Sequence, residues 1–303
     1  MKIAMVGLGV MGKPMAENLI KNGFELTIYA RRPEVCEEMK TLGAHSSPSV
    51  WEAASQCDVF ITLMPNGQAL EEILFAEATG AINGLREGSL VIDMGTTSPS
   101  LTRRVCKELY EKSIGFLGAP ISGGVGRAAA GTLTVMCGGK YEDFERALPI
   151  FNAVGENIYH TGDIASAQTV KLINNMVACT NIAAVCEGIA LAERAGVDAR
   201  LLVDIMDNSS GQSYATSVKA RQFILPRKFE NAAKATIYNK DLTLVLEMAS
   251  EYNLPLSLAE DTRRYLRALI DSGRGALDAS AIILNLETMS AQAQPDRYVD
   301  SRG

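Results

Sequence analysis

The sequence predicts an α/β domain with a doubly wound, mostly parallel sheet, followed by an all-α domain. Three observations lead to this fold class. The chain has 303 residues, which is enough for two domains of ordinary size. Short β-rich segments alternate with helix-length segments as far as Gly162, and strand signals nearly vanish after it. A long apolar segment then joins the two halves, which predicts a helix between the domains.

Six segments of the first half have the nearly continuous apolar character of strands that are covered by helices on both faces. These predicted strands are residues 2–6, 25–30, 58–64, 89–94, 115–119 and 132–137. Helices are expected between several of them, at residues 11–22, 34–42 and 99–112. Strands that alternate with helices are typical of βαβ crossovers, so we expect mostly parallel pairing.

The second half begins with residues 165–195, which are rich in Ala, Ile, Leu and Val and contain no Gly or Pro before Gly188. About 30 helical residues would span roughly 45 Å. Polar residues interrupt this segment too often for a membrane-spanning helix, namely Lys171, Asn174, Asn175, Thr180, Asn181 and Glu187. Further helices are expected at residues 198–206, 217–223, 237–252 and 258–271. We therefore predict an α/β domain at 1–163, an all-α domain at 164–293, and a flexible tail at 294–303.

Composition limits the classes of function. The chain carries 29 Lys and Arg against 35 Asp and Glu, a formal charge of −6, whereas nucleic-acid and anionic-membrane surfaces need a basic excess. The six cysteines form no CxxC pair and no cysteine–histidine cluster, so we expect reduced thiols and no metal site. The N-terminal segment lacks the apolar stretch and the cleavage site of a signal peptide. These features predict a cytoplasmic protein that binds neither nucleic acid nor membrane.

The glycine-rich segment at residues 7–12 carries the first functional signal. Gly7, Gly9 and Gly12 fit the GxGxxG pattern, and they lie between a predicted strand and a predicted helix. In that setting the first glycine permits a tight turn, the second lets the backbone approach a pyrophosphate, and the third allows close packing. The backbone N–H groups of Val10 and Met11, at the start of the helix, are expected to bind phosphate. The segment therefore predicts a Rossmann-type domain that binds a dinucleotide.

The end of the second predicted strand bears on the choice of cofactor. An acidic residue at this place, about 20 residues after the glycines, would bind the ribose hydroxyls of NAD. Here Ala30 is followed by Arg31 and Arg32, and a guanidinium can bind a 2′-phosphate in a bidentate manner. The pattern favours NADP(H), with NAD(H) as the alternative cofactor. Two solvated surface arginines are the other interpretation of the same residues.

Lys171 lies near the start of the long predicted helix. Asn174 and Asn175 follow three and four residues later, on the same helical face. An ammonium group is costly to bury without a partner. Partial burial would lower its pKa toward the range that is useful in proton transfer. Lys171 is therefore a candidate general acid/base, and a lysine that extends from a domain boundary to solvent is the structural alternative.

Ser122, Gly123 and Gly124 form a second candidate group, in a loop that follows a predicted strand. A hydroxyl and several exposed N–H groups in such a loop suit a carboxylate. Glycines at this place are equally typical of an ordinary turn, so both interpretations stay open.

Taken together, these segments resemble the β-hydroxyacid dehydrogenase family over about residues 1–290. Residues 7–19 (GLGVMGKPMAENL) resemble its cofactor motif, and residues 93–100 (DMGTTSPS) and 118–139 (GAPISGGVGRAAAGTLTVMCGG) resemble its substrate segment. Residues 170–176 (VKLINNM) resemble the catalytic KxxNN motif, and residues 239–249 (NKDLTLVLEMA) resemble the KDLxLA block. The chain departs from the family at Gly118, where aspartate is usual, and at residues 165–167, where Gly-x-Gly is usual.

The resemblance implies a role for each matching residue. Lys171 would be the general acid/base that protonates the carbonyl oxygen during reduction, and Asn175 would orient the substrate. Ser122, Gly123 and Gly124 would hold the substrate carboxylate. The residues that would flank or close over the cofactor are Met64, Pro65, Asn66, Thr96, Lys240 and Asp241. The family also implies that the all-α domain at 164–293 serves substrate binding and dimerisation, and that the protein assembles as a homodimer or homotetramer.

These predictions combine into an NADP(H)-dependent oxidoreductase. It would move a hydride reversibly between the nicotinamide and a small 3-hydroxy acid, or its semialdehyde or 3-keto form. Asn174 is a further substrate-binding candidate. The resemblance implies that Ser213 and Tyr214 lie where the family closes its pocket, at the distal part of the substrate, and polar residues there favour a polar substrate such as tartronate semialdehyde. An inter-helix turn is the alternative interpretation of Ser213 and Tyr214.

Other functions stay open at this point. They are a broad small-aldehyde reductase for succinic semialdehyde and glyoxylate, a 3-hydroxy amino acid dehydrogenase, and a dinucleotide-binding module without catalysis. The presence of Lys171 disfavours the last of these, and it also disfavours an imine reductase. A Ser-His-Asp hydrolase is disfavoured because the chain has two histidines and no GxSxG segment. For His160 we expect a packing or capping role.

Overall fold

The computed structural model describes residues 1–230 and 233–292, and the predicted tail at 294–303 lies outside the described residues. The chain divides into two compact units. The first unit is Met1–Ile173, and the second begins at Asn174. The domain limits expected from the sequence, 1–163 and 164–293, remain a prediction.

The first unit is built on one sheet, which has nine strands among the described residues. The strands are β1 (Lys2–Val6), β2 (Glu25–Tyr29), β3 (His45–Ser46), β4 (Val59–Thr62), β5 (Leu90–Asp93), β6 (Gly115–Gly118), β7 (Ile121–Ser122), β8 (Leu133–Gly138) and β9 (Gly155–Gly162). Their order across the sheet is β3-β2-β1-β4-β5-β6-β8-β7, and β9 also pairs with β8. The first six strands are parallel, whereas β8 runs antiparallel to β6 and β7. The order reverses between β1 and β4, which confirms the predicted doubly wound arrangement.

Helices connect the strands and cover both faces of the sheet. They are α1 (Gly12–Lys21), α2 (Pro33–Thr41), α3 (Val50–Ser55), α4 (Gly67–Phe75), α5 (Pro99–Tyr110), α6 (Gly124–Ala130) and α7 (Tyr141–Val154), with a 3-10 turn at Ala81–Asn83. Because side chains alternate along a strand, Ile3 and Met5 of β1 join one buried cluster while Ala4 and Val6 join another. The sheet is therefore buried on both faces, which explains the continuous apolar runs in the sequence.

Several of these helices begin with ordinary capping chemistry. The side chains of Ser49, Asn66 and Ser98 each accept a hydrogen bond from the backbone N–H three residues later, at the start of α3, α4 and α5. Helix α1 differs, because no side chain caps its N-terminus. The uncapped N-terminus of α1 belongs to the candidate site at the carboxyl ends of the strands.

Within residues 174–230 and 233–292 the second unit consists of helices joined by turns, with one isolated β-bridge between Lys234 and Asp278. Helix α8 (Ser166–Arg194) starts in the first unit and continues into the second. The elements that follow are α9 (Ala199–Asp207), a π-helix at Ala215–Ile224, α10 (Ala235–Glu251), α11 (Ser257–Leu269), a π-helical segment at Ile270–Arg274, a 3-10 turn at Ala279–Ala281 and α12 (Ile282–Gln292). Their buried side chains form one cluster that includes Cys179, Leu242 and Leu266.

Helix α8 is long and apolar enough, by length and composition, to cross a membrane, and it is the one such helix in the described part of the chain. Core helices of soluble proteins can have the same length and apolar composition. Gln168, Lys171 and Cys179 of this helix are buried within the protein. Buried polar side chains of this kind are typical of a helix that packs against protein.

Candidate active site

The three glycines between β1 and α1 have different surroundings. Gly7 has a positive φ of 98°, and a Cβ there would lie 2.3 Å from the carbonyl oxygen of Leu63. A Cβ on Gly12 would lie 2.1 Å from the carbonyl oxygen of Gly7. Gly9 has no protein atom within 4 Å of its Cβ position. Gly7 and Gly12 are therefore required by packing, whereas Gly9 leaves an open space that a ligand can approach closely.

The N-terminus of α1 opens next to Gly9. No side chain caps this end, and its first turn contains no acidic residue. The first backbone N–H groups of a helix have no partner within the helix, and together with the helix dipole they favour an anion. Val10 is 72% exposed at this place. These features fit the pyrophosphate of a dinucleotide.

The loop at the end of β4 lies beside the glycine turn, and the loop at the end of β5 lies beside the β4 loop. The end of the Met64 side chain lies 2.7 Å from the Cβ position of Gly7. A Cβ on Gly95 would lie 2.9 Å from the carbonyl oxygen of Met64. The loops with Met64 and with Thr96 are therefore in contact with one another, at the carboxyl ends of neighbouring parallel strands. This is the edge at which doubly wound sheets bind their ligands.

The predicted cofactor residues of these loops differ in what their side chains do. The Asn66 side chain accepts a hydrogen bond of 2.9 Å from the Ala69 N–H, so its oxygen serves as the cap of α4. Pro65 is exposed. Thr96 is half-buried between the buried residues Gly95 and Thr97. The positions agree with contact to a cofactor, and the role of each residue remains a prediction.

Arg31 and Arg32 lie between the end of β2 and the start of α2, and both are exposed. The Arg32 guanidinium is 3.5 Å from the carbonyl oxygen of Leu8, within the glycine-rich turn. Strand β2 ends at Tyr29 without a carboxylate. Two cationic groups thus stand where a bound adenosine ribose would lie, and their chemistry fits a 2′-phosphate.

Lys171 is on α8 and is 7% exposed. Gln168, three residues earlier on this helix, is fully buried. Its amide nitrogen donates to the carbonyl oxygen of Gly95 at 3.0 Å, and its amide oxygen accepts from the Thr97 N–H at 3.1 Å. The helix that carries Lys171 is therefore joined to the loop that carries Thr96. Sequence reasoning missed Gln168; a glutamine one turn before the candidate lysine is the only signal the sequence offers.

The loop with Ser122, Gly123 and Gly124 is exposed at the junction of β7 and α6. Gly123 and Gly124 have positive φ values of 139° and 72°, and Gly124 has no atom within 4 Å of its Cβ position. Helix α6 is held by Asn18 of α1, whose amide nitrogen donates to the Ala128 carbonyl oxygen at 2.8 Å. Asn18 was not predicted as a site residue, although it belongs to the segment that resembles the cofactor motif.

In the second unit, Asn175 of α8 meets the start of α10. Its amide nitrogen donates to Asp241 at 2.6 Å, and Lys240 forms an ion pair with the same carboxylate at 2.8 Å. The Asn174 amide nitrogen lies 3.3 Å from the Asn175 amide oxygen. A carboxylate only accepts hydrogen bonds, so the buried Asp241 determines which way the Asn175 amide is turned. Residues from two separate sequence motifs are thus brought together here.

Ser213 and Tyr214 start the π-helix at Ala215–Ile224. The Ser213 hydroxyl accepts hydrogen bonds from the N–H groups of Ala215 and Thr216, at 3.2 and 3.3 Å. The Ser213 N–H donates to the Thr216 hydroxyl at 3.0 Å. Ser213 therefore caps a helix, which agrees with the turn interpretation, and Tyr214 is 50% exposed. A role for either residue in a distal pocket remains a prediction.

His160 and two of the cysteines have surroundings typical of packed side chains. His160 packs beside Tyr141 and Phe144, and its Nε2 lies 2.8 Å from the Gly139 carbonyl oxygen. Burial raises the pKa of the Cys57 and Cys137 thiols to about 12, so they are protonated at neutral pH. Among the described residues no group of three or more His, Cys, Asp or Glu side chains could hold a metal ion.

Two family models match most of the chain. Residues 2–162 match the NAD binding domain of 6-phosphogluconate dehydrogenase. Residues 165–286 match the NAD-binding region described for NADP-dependent 3-hydroxyisobutyrate dehydrogenase.

Similar proteins match over nearly the full length. The chain is 33% identical over 289 residues to 2-(hydroxymethyl)glutarate dehydrogenase of Eubacterium barkeri, covering 95% of this chain and 96% of the relative. It is 32% identical over 290 residues to 2-hydroxy-3-oxopropionate reductase of Escherichia coli, covering 96% and 98%. The solved structure of Mycobacterium tuberculosis 3-hydroxyisobutyrate dehydrogenase with L-serine has a TM-score of 0.86 at 28% identity, covering 94% of this chain and 98% of that chain.

These matches and the resemblance of the sequence motifs agree. The chain belongs to the β-hydroxyacid dehydrogenase family. It is an NAD(P)-dependent hydroxyacid dehydrogenase with an N-terminal Rossmann-type domain and a helical C-terminal domain.

Proposed function

We propose that this enzyme is NADP(H)-dependent and moves a hydride between the nicotinamide and a small 3-hydroxy acid or its semialdehyde, with Lys171 as the general acid/base. The observation that carries the proposal is the placement of Lys171. This buried lysine lies one turn after Gln168, which is hydrogen-bonded to the loop at the end of β5. That loop borders the edge of the sheet where a dinucleotide fits.

The chain supplies a proton and orientation, while the cofactor supplies or accepts the hydride when bound. In reduction, the Lys171 ammonium donates a proton from Nζ to the carbonyl oxygen as the carbonyl carbon receives the hydride. In oxidation, the neutral amine takes the hydroxyl proton back. The burial of Lys171 keeps bulk water away from this transfer.

Substrate orientation is assigned to residues of both units. Ser122, Gly123 and Gly124 would bind the carboxylate through a hydroxyl and exposed backbone N–H groups. Asn175, held by Asp241, would bind the oxygen that is being reduced or oxidised, and Asn174 would assist it. Lys240 and Asp241 would close over the cofactor, and Met64, Pro65, Asn66 and Thr96 would flank it.

The preference for NADP(H) is assigned to Arg31 and Arg32. Both guanidinium groups are exposed at the end of β2, and one of them reaches the glycine turn. A phosphate on the adenosine ribose would bind them in a charge-assisted manner.

A small, polar substrate is supported by two of the relatives. Their names refer to a dicarboxylic hydroxy acid, 2-(hydroxymethyl)glutarate, and to 2-hydroxy-3-oxopropionate, which is tartronate semialdehyde. The solved structure of a third similar protein is named with L-serine. We infer that the substrate carries a further polar group, with tartronate semialdehyde as the first compound to test and a 3-hydroxy amino acid as the second.

The experiment is a screen of NADPH oxidation with short semialdehydes and keto acids, repeated with NADH, and a screen of NADP⁺ reduction with 3-hydroxy acids and L-serine. Lys171→Met should lower kcat about 100- to 10,000-fold for the active compound, because general acid/base catalysis supplies a factor of this size. The Kd of NADPH should stay unchanged. Lys140→Met, which removes a cation that lies over the Tyr110 ring on α5, is the matched control.

Two results would contradict the proposal. Turnover by Lys171→Met at the wild-type rate would exclude its acid/base role. Absence of turnover in both directions, with NADPH still bound, would favour a dinucleotide-binding module without catalysis.

A further inference from the structure

The loop that joins β5 to α5 is held by two buried side chains. The Asp93 carboxylate accepts a hydrogen bond from the Gly95 N–H at 3.1 Å. From α8, the Gln168 amide donates to the Gly95 carbonyl oxygen at 3.0 Å and accepts from the Thr97 N–H at 3.1 Å. The backbone on both sides of Thr96 is thereby held in place.

A glutamine suits this contact because its amide combines a donor and an acceptor. Gln168 is 0% exposed, and the loop residues Gly95 and Thr97 are buried as well. Water is therefore not available to replace a lost hydrogen bond, and a buried polar group without a partner is costly. The two hydrogen bonds therefore join the loop to the helix.

Helix α8 is also held at its first residues. Asp163 accepts hydrogen bonds from the N–H groups of Ala165 and Ser166, at 3.0 and 2.9 Å. The hydroxyl groups of Ser166 and Thr161 are 2.7 Å apart. These contacts fix where the helix begins, so helix formation does not depend on Gln168. The Gln168 contact adds a second fixed point, which sets the rotation of the helix about its axis.

We propose that Gln168 is a positioning residue that sets Lys171 at a fixed place relative to the loop with Thr96. The two residues are three positions apart, so their side chains leave neighbouring turns of α8 on one side. Both polar atoms of the Gln168 side chain are engaged with backbone groups, so it acts through the helix rather than on the substrate. The inference rests on the proposed function, since this distance matters only when Lys171 transfers a proton.

Two substitutions of Gln168 distinguish a role in positioning Lys171 from a contribution to the stability of the protein. Gln168→Met keeps the side chain's length and removes both hydrogen bonds. Gln168→Glu keeps the acceptor, and its carboxyl group also replaces the donor when it is protonated. Burial raises the pKa of a carboxyl group, so the protonated form persists in the lower part of the assay range. The charged neighbours, Asp93 and Lys171, are the same in every variant.

Thr169→Val is the matched control. Thr169 is the next residue on α8, and its hydroxyl donates within the helix, to the Ala165 carbonyl oxygen at 3.2 Å. The substitution removes one hydrogen bond and changes nothing at the loop. Each protein is assayed for reduction of tartronate semialdehyde with NADPH as a function of pH, and Tm and the Kd of NADPH are measured in parallel.

Gln168→Met should lower kcat about 10- to 100-fold, because a displacement of about 1 Å in a catalytic group has an effect of this size. The Kd of NADPH should not change. Gln168→Glu should approach the wild-type kcat at low pH and lose it as pH rises and the carboxyl ionises. Thr169→Val should match the wild type. A purely structural role would lower Tm and the active fraction and leave kcat per active enzyme at the wild-type value.

Wild-type kcat in Gln168→Met would overturn this inference and leave the proposed function intact. A wild-type enzyme that shows no turnover in either direction, with NADPH still bound, would overturn the proposed function, and the inference with it. If Gln168→Met does not fold, the pH profile of kcat for Gln168→Glu decides whether Gln168 is a positioning residue. Recovery at low pH supports positioning, and a ratio to wild type that stays constant with pH excludes it.

Discussion

Gly9 and Gly12 belong to one motif, but the structure assigns them separate tasks. A methyl group on Gly12 would collide with the Gly7 carbonyl oxygen, whereas a methyl group on Gly9 would meet no protein atom. Gly12→Ala should therefore lower the free energy of unfolding by about 1–3 kcal/mol through overpacking. Gly9→Ala should leave it within about 0.5 kcal/mol of the wild type.

For NADPH binding we expect the opposite order, with the larger effect from Gly9→Ala and the smaller one from Gly12→Ala. Gly9→Ala places a methyl group in the space assigned to the pyrophosphate, and loss of one charge-assisted hydrogen bond there raises Kd by about tenfold or more. Urea unfolding and NADPH titration of both variants test this pair. Equal loss of stability in both would show that Gly9 is also a packing residue.

Arg31 and Arg32 are the residues on which the cofactor preference depends. Arg31→Ala and Arg32→Ala should each raise the Kd of NADPH, together by about 10- to 100-fold, because hydrogen bonds to a charged phosphate contribute about 1.5–3 kcal/mol. The Kd of NADH should stay unchanged. Arg103→Ala, an exposed arginine on α5, is the control. An unchanged ratio of the two Kd values in the double variant would mean that these arginines are solvated surface groups.

At the residue scale, the sequence predicts the residues whose type alone carries chemistry. The glycine turn, Lys171 and the asparagines after it are of this kind. Gln168 and Asn18 could not be predicted, because their function lies in a hydrogen bond to a backbone group 73 and 110 residues away. The hydrogen bond between the side chains of Asn175 and Asp241 was not predictable either, because it joins residues 66 positions apart.

At the scale of elements, prediction from sequence succeeds where burial is complete. Every predicted strand overlaps a strand of the sheet, because each is a continuous apolar run. The two-residue strands β3 and β7 are too short to form a pattern. Strand β9 was missed because it lies at the edge of the sheet and its side chains are half-buried or exposed, as Glu156 and Tyr159 show.

The π-helix at Ala215–Ile224 was predicted only as an ordinary helix at residues 217–223. It contains Lys219, which forms a buried ion pair with Asp278 at 2.5 Å, and both side chains are at most 3% exposed. Asp278 also accepts hydrogen bonds from the backbone and hydroxyl of Ser280. The pair therefore joins the π-helix to the turn before α12.

Removal of one partner of this pair should be strongly destabilising. Lys219→Met leaves the Asp278 carboxylate buried without its counter-charge, and we expect the free energy of unfolding to fall by about 3–5 kcal/mol. Arg264→Met, which breaks an exposed pair with Asp261 on α11, should cost less than about 1 kcal/mol. Urea unfolding of both variants gives the comparison. Similar small losses would show that water reaches the Lys219–Asp278 pair.

At the scale of the whole molecule, each unit has its own buried clusters. Ile61 and Phe60 belong to the clusters of the first unit, and Ile182 belongs to the cluster of the second. Each unit thus has the apolar interior that independent stability requires. A ligand that bound the first unit alone would stabilise that unit and leave the second unaffected, since stabilisation by mass action acts on the state that binds.

Hydrogen exchange of the full chain, with and without NADPH, therefore distinguishes a one-unit site from a two-unit site. At about 100 times its Kd, NADPH should slow exchange up to about 100-fold in the segments that bind it, since this concentration supplies about 2.7 kcal/mol. We expect protection at residues 8–13, 63–66 and 95–98 of the first unit, where the glycine turn and its neighbouring loops lie.

The second unit provides the decisive comparison. If Lys240 and Asp241 close over the cofactor, the start of α10 should be protected with the first-unit segments, while α11, which carries no predicted site residue, should not change. The Gly9→Ala variant, measured at an NADPH concentration below the variant's own Kd, should show no protection from hydrogen exchange in either unit. Protection confined to the first unit would mean that α10 takes no part in cofactor binding, and that Asp241 acts only through its hydrogen bond to Asn175.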